Sequence, residues 1–389
     1  MSEHLKRRIG LPLLVAYGVG VMVGAGIYVL VGAVAGVSGQ WAPFAFLLAG
    51  LVAAPTALSY AEFSTRIPEA AGEAAYIGKG FGSDLLAVLV GLAIVAAGTI
   101  SAAAVLRGGA GYLLGLADIP VIWAVVVMGL VLTLVAVIGV MESMSLVALF
   151  TAIEIIGLVL VVWAGATSGP VAELSGPVPW GGIGAGAMLA FFAFIGFEDI
   201  VNMAEEVREP TRTMPRAILL SLLITSGLYA LVVWAALRAV PADQLAGSEQ
   251  PLALVWAAST GGTGRFLSAI AVFAALNGVL AQIVMASRVL FGLGKRNPVL
   301  GLFHHAHPRF GTPALASVIV GTGVIIGAVL LPVAVLAETT SAVLLAVFVL
   351  VNAALIAVKR RGEPGPFEVP MFVPILGLVL SAVALAASL

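Results

Sequence analysis

The sequence predicts an all-α polytopic membrane protein, and three observations carry that prediction. Of its 389 residues 61% are hydrophobic and 10% charged, with a mean hydropathy of +1.17, a balance too apolar for a surface facing water. The apolar residues fall into eleven runs, each long enough to cross about 30 Å of hydrocarbon. With the N-terminus in the cytoplasm, all eighteen Lys and Arg residues lie on that side except Arg107, Arg238 and Arg265. So lopsided a split sets the orientation by the positive-inside rule and leaves the C-terminus outside.

The first run, 10–36, follows Lys6, Arg7 and Arg8 and is too long for a cleavable leader, so it is expected to remain in place. Straight, it would reach ~40 Å, more than the hydrocarbon thickness, unless it tilts or breaks. Its glycines stand at 18, 20, 24, 26 and 32. The second run, 41–65, carries Glu62 near its inner end, as a gate or a structural contact. Runs 84–114 and 119–141 are followed by 144–167, which holds Glu154 near its centre. The sixth, 182–205, contains Gly196 with Glu198 and Asp199 directly after it. Next come 216–239, then 263–291 with Asn277 at mid-span, then 313–331, 334–358 with Glu338 near its start, and 371–388. Gly24 and Gly196 both lie fourteen residues into their runs. Interruptions at matching depths of spans one and six mark a five-plus-five inverted repeat with a site at the midplane. The repeats are 10–167, helices 1–5, and 182–358, helices 6–10; 371–388 is the eleventh helix of a single transmembrane domain spanning 1–389.

Several function classes fall away. Cysteine is absent, which removes thiolate catalysis, disulfides and cysteine-ligated metals. His304, His305 and His307 sit in a basic loop without acidic or thiol companions, a solvated loop rather than a metal site. No serine is paired with a histidine, and no pair of intramembrane aspartates suggests an embedded hydrolase, so no enzyme activity is expected. The net charge of −1 says nothing about partners, and nothing points to a cofactor, a metal or nucleic acid. Lipid surrounds the bundle; the oligomeric state is open.

Gly24, Ala25 and Gly26 suit an unwound turn whose amides, with the N-terminal dipole of the half-helix from Ile27, would hold a carboxylate. The plainer alternative is close helix packing, since Gly20 and Gly24 form a small-xxx-small pair. Gly18 and Gly20 also resemble a nucleotide-binding loop, but no strand precedes them. Around Gly196 stand Phe191, Phe192, Phe194 and Phe197. Glu198 at that depth costs about 2.5 kcal/mol or more, so it asks for a reason: a functional carboxylate, or a structural one bonded to a freed amide. Burial of Glu154 suits a proton carrier, a cation ligand, or a neutral group bonded to a neighbouring helix. Asn277 touches substrate or serves as interhelical glue.

At these residues the chain resembles the amino acid–polyamine–organocation superfamily of permeases over essentially its whole length. Four stretches carry the resemblance: VGAGIYVLVG, YAEFSTRIPEAAGEAAYI, FAFIGFEDIVNMAEEVREPTRTMPRAI and ASRVLFGLGKRNPVLGLFHHAHPRFGTP. It implies a LeuT-like fold and alternating access, with spans 1, 2, 6 and 7 rocking against a scaffold that includes 3, 4, 8 and 9. It implies that the α-carboxylate of an amino acid meets the amides of Gly24, Ala25 and Gly26. The α-amino group would meet carbonyls near Met22, Phe192 and Ile195, with Phe192 occluding the pocket. Glu198 falls where many members carry a proton-responsive or gating glutamate. Members generally have twelve spans, against eleven here. Where several proton-coupled members carry a lysine, this chain has Glu154, which would carry the proton itself, attract sodium, or leave an uncoupled exchanger. The expectation is a cytoplasmic-membrane amino acid permease coupled to protons through Glu154 or Glu198. Its rivals are a sodium-coupled or uncoupled amino acid or polyamine exchanger, and a channel or substrate sensor on a transporter fold.

Overall fold

The computed structural model describes residues 9–68, 72–139, 144–171 and 177–388, with the backbone alone at 144–147, Ala25, Asn202, Glu205, Glu206, Lys295, Arg296 and Ser388. The basic cluster Lys6, Arg7 and Arg8 lies outside the described residues. Among the described residues the chain is helical, without a named strand; an isolated bridge pairs Ile9 with Val207.

Several helices begin where proline or serine removes or satisfies an orphan amide. Helix α1 (Leu11–Ser38) starts with a proline in its first turn, ends at Gly39 with φ 57°, and leads through a 3-10 turn into α2 (Ala42–Arg66). A short helix, α3 (Gly72–Phe81), precedes α4 (Asp84–Leu114), where the Leu86 amide donates to the Ser83 hydroxyl at 3.3 Å. Next come α5 (Val121–Ile138), closed by Gly139 at φ 83°, and α6 (Met144–Thr167). Helix α7 (Trp180–Phe191) gives way to 3-10 turns at Phe192–Phe194 and Glu198–Glu206. Then follow α8 (Pro210–Ala239), α9 (Ala242–Ala246), α10 (Pro251–Thr260), α11 (Arg265–Arg296), α12 (Ala314–Leu330), α13 (Val333–Arg360) and α14 (Phe372–Ser388).

Among the described residues eight helical stretches are long and apolar enough to cross a membrane, the first running Gly26–Arg66 through α1 and α2. Shorter apolar helices cover Leu11–Gly24, Pro251–Thr260, Ala314–Leu330 and Phe372–Ala387. The chain is thus a multi-pass membrane protein. Among the described residues each predicted apolar run contains helix, with differences that have physical causes. The sixth run stops being α-helical at Phe191, where Gly196 and two carboxylates follow. Helix α8 begins six residues early because Pro210 at its start needs no amide partner. Helices α3, α9 and α10 lie in stretches expected as loops. Glu338, near the start of α13, is exposed.

Helix α1 is central, packed against α4, α6, α7, α8 and α11. Small residues let the backbones approach: a Cβ on Gly109 of α4 would collide with Ala275 of α11, and one on Gly20 with Thr151 of α6. Without a hydrophobic drive between helices in lipid, such close packing is a main source of association. Outward faces stay apolar, as on α5, where Trp123, Val127, Leu130 and Leu134 are exposed.

Candidate functional site

Two backbone interruptions define the candidate site. In α1, Gly24 leaves helical geometry at φ 12° and ψ −155°, and in the stretch after α7, Gly196 takes φ 122°, a conformation open to glycine and costly for other residues. The breaks abut. A Cβ on Gly196 would lie 2.6 Å from Val21 Cγ1 and 3.2 Å from the Met22 amide, and one on Gly26 would lie 3.3 Å from Ala193 Cα. At Gly24 itself nothing comes within 4 Å of that position, so open space faces the break in α1.

Met22, Ile27, Phe192 and Ile195, which flank the breaks in sequence, are buried; the side chain of Ala25 lies outside the described residues. Among the carbonyls, Phe192 O accepts from the Ile195 amide at 3.2 Å. Met22 O lies 2.6 Å from the Tyr229 hydroxyl, which also stands 2.9 Å from Ala193 O. Tyr229, fully buried on α8, therefore joins the main chains of both breaks, yet its phenol has one proton for two acceptors. A second tyrosine line runs away from the site: the Leu252 amide donates to Tyr112 Oη (3.2 Å), Tyr112 Oη to Tyr28 O (2.7 Å), and Tyr28 Oη to Glu154 O (2.8 Å).

The two candidate carboxylates differ. Glu198, buried, accepts from the Gly196 amide at 2.8 Å through Oε2, the bond expected of a glutamate that caps a freed amide. Glu154 is fully buried, neither carboxyl oxygen has a hydrogen-bond partner among the described residues, and Asn277 of α11 stands beside it. Thr151 meets Gly20 and Gly157 meets the Tyr28 hydroxyl, which places Glu154 level with Gly24 on the side of α6 that faces α1. Below the breaks, Gln282 Nε2 donates to Asp199 at 3.3 Å. On α3, Glu73 lies beside the Tyr60 hydroxyl and within Coulombic reach of Glu198 and Asp199; burial pushes its carboxyl up to about 7.

The structure thus brings the predicted residues of the first and sixth runs together, with Glu154 and Asn277 at one side. Sequence reasoning passed over Tyr229, Tyr28 and Tyr112. The signal was available: of six tyrosines, five are among the largest fully buried side chains, whereas tyrosine in a membrane protein usually sits at the interface. Among the described residues no group of three His, Asp or Glu is placed to hold a metal.

Comparison with known proteins places this geometry in context. The family profile described as amino acid permease matches residues 9–389. The branched-chain amino acid permease BcaP of Bacillus subtilis is 28% identical over 97% of this chain and 87% of its own length. The vacuolar cationic amino acid transporter 2 of Arabidopsis thaliana is 32% identical over 82% of this chain, which spans about half, 54%, of that protein. An uncharacterised transporter of Mycobacterium bovis is 33% identical over 82% of this chain and 73% of its own.

Proposed function

The chain belongs to the amino acid permease family, and from that premise we propose that it moves amino acids across the cytoplasmic membrane by alternating access, coupled to protons. Its business is transport of amino acids, not enzymatic conversion. In this reading eleven spans build a single domain from two inverted repeats of five and a final helix. The basic end faces the cytoplasm, which places the N-terminus inside.

One observation carries the reading: two helices interrupted at Gly24 and Gly196 abut with open space at Gly24. The half-helix from Ile27 points its N-terminus at that space, so the amides of 24–27 suit a carboxylate. Carbonyls at Met22, Phe192 and Ile195 would take the ammonium, the first in exchange for Tyr229. The walls supplied by Met22, Ile27, Phe192 and Ile195 are apolar, which favours a neutral side chain on the substrate. BcaP, with branched-chain substrates in its name, fits that choice; the plant relatives named for cationic amino acids are the alternative. Coupling requires a second ligand that changes the populations of the two open faces. Of Glu154 and Glu198, Glu154 is the better proton carrier, because Glu198 is already bonded to the Gly196 amide.

Counterflow in proteoliposomes tests the transport reading. Internal unlabelled leucine should accelerate entry of labelled leucine, whereas a channel shows no such acceleration and a sensor no entry. A Glu154→Gln variant should keep leucine binding and lose the dependence of uptake on a pH gradient. Unchanged pH dependence removes Glu154 from the mechanism, and dependence on sodium instead favours a sodium-coupled carrier.

A further inference from the structure

The basic end of the bundle holds two kinds of cation. In the first kind the charge is offset within the fold: Arg66 and Lys359 meet Glu62 at 2.7 and 2.9 Å, and Lys79 meets Glu363 at 2.8 Å. The second kind lies in the connection from α11 to α12. Residues 295–312 carry Lys295, Arg296 and Arg309 with no Asp or Glu among them, so three positive charges have no carboxylate of their own stretch to offset them.

The same connection turns apolar side chains outward. Its first part is a 3-10 turn, Pro298–Phe303, where the Val299 amide donates to the Asn297 side chain at 2.9 Å. In such a turn residues three apart stand one above the other, so Leu300 and Phe303 share one edge and Val299 and Leu302 another. The first edge is half-buried, and the turn is seated on the end of α11: a Cβ on Gly294 would lie 2.6 Å from Leu300 O and 2.9 Å from the His304 amide nitrogen. The His304 ring packs on Phe291, with centroids 4.4 Å apart. The second edge is bare, with Val299 88% and Leu302 64% exposed, and no other large hydrophobic among the described residues is as open as Val299.

What adjoins this edge indicates what covers it. The connection ends at Phe310, which is exposed and whose carbonyl oxygen lies 4.0 Å from the place of a Cβ on Gly139, the residue that closes α5. Thr312 Oγ1 donates to Val137 O of the same helix. Leu134 and Ile138 of α5 and Leu315 and Ile319 of α12 are exposed apolar residues, the face that membrane helices present to lipid, and Phe310 continues that band at its basic end. The Arg309 guanidinium lies 5.6 Å from the centre of the Phe310 ring, a cation held at an apolar edge. Apolar side chains beside unneutralised Lys and Arg are the combination by which interfacial segments bind anionic lipid.

We propose that residues 298–310 dock on the membrane leaflet at the basic end, with Val299, Leu302 and Phe310 at the acyl boundary and the charge of Lys295, Arg296 and Arg309 selecting anionic phospholipids. The proposal needs only the multi-pass character of the chain and stands apart from the transport reading.

Because the chain has no cysteine, single introduced thiols carry the test. Spin labels on Val299→Cys and Leu302→Cys are compared with two references, Leu134→Cys on the exposed side of α5 and Thr211→Cys at the exposed start of α8. Each is read in nanodiscs of phosphatidylcholine alone or mixed with phosphatidylglycerol, by its accessibility to oxygen, which concentrates in lipid, and to a water-soluble nickel chelate. With phosphatidylglycerol present, the labels at 299 and 302 should follow the one at 134. In phosphatidylcholine alone their oxygen-to-nickel ratio should fall by at least about fivefold, the effect of one basic residue at an anionic surface. Arg309→Gln should lower the ratio in the mixed discs by a similar factor and leave position 134 unchanged; an unaltered ratio counts against selection by charge. Labels that follow 211 in both lipids make the connection a water-exposed loop and overturn the proposal. Labels that follow 134 in both lipids show insertion without charge selection, and labels closed to both reagents show a second copy of the chain on this edge; either result overturns it as well.

Discussion

At the Gly24 and Gly196 breaks one tyrosine hydroxyl stands between two carbonyls, and neither carboxyl oxygen of Glu154 meets a hydrogen-bond partner among the described residues. At the seam between α2 and α13 the Glu62 carboxylate takes two cations and a main-chain amide, and Asn352 bonds three groups at once. Both regions are buried in a medium that penalises every unmade bond, so their opposite bonding reflects different work. In the proposed mechanism, the polar groups left underbonded are those that exchange partners with a passing solute. Those that hold helices in register are saturated.

Substitutions that break this contrast should differ in size. The largest effect falls on the seam: Glu62→Ala leaves Lys359 without its anion and Arg66 with Glu368 and the Glu363 carbonyl alone, and should cost up to about 3–5 kcal/mol, seen as a marked drop in the thermal midpoint of detergent-solubilised protein. Replacing Glu62 and Lys359 together by Leu and Met should recover most of it, as apolar substitutes for a buried pair often do. At the break, Gly196→Ala forces a side chain into φ 122° against Val21. It should cost about 1–3 kcal/mol of local strain and abolish uptake even where the protein still purifies as a monodisperse species. Tyr229→Phe removes the single proton that the Met22 and Ala193 carbonyls share, about 1–3 kcal/mol for an unsatisfied buried group. Its distinguishing readout is uptake, which should fall more than thermal stability does if the hydroxyl positions both breaks. The smallest effect belongs to Lys79→Ala. Lys79 and Glu363 pair at 2.8 Å but are 49% and 37% exposed, so removing the pair should change stability by about 0–1 kcal/mol and leave uptake unaltered.

The breaks were legible because they combine signals that conflict locally: glycine within an apolar run, and carboxylates directly after it. A sequence that breaks its own pattern at mid-membrane marks a site. Glu62 and Glu154 stood out for the same reason, as charges in oily helices. Their surroundings were not legible. The partner of Glu62, Lys359, lies 297 positions away, and only the folded chain makes them neighbours. Tyr229 was hidden because tyrosine is half apolar and passes for an ordinary member of a hydrophobic run, although its mid-span position required an acceptor. Helices α3, α9 and α10 were missed because hydropathy finds spans and is blind to short helices that pack between them. Glu198 shows the limit in another way. Its depth in the run invited a functional role, while its bond to the Gly196 amide equally explains its presence as a cap for the break.

Everything functional here depends on the gap at the Gly24 break being where the solute sits. The most direct measurement is an electron cryo-microscopy structure of the protein in nanodiscs at saturating L-leucine, with L-arginine as the second ligand. The account predicts ligand density in that gap, its carboxylate against the amides of residues 24–27 and its ammonium near the carbonyls of Met22 and residues 192–195. Density for a bound amino acid elsewhere, with the space at Gly24 closed or empty, would contradict it.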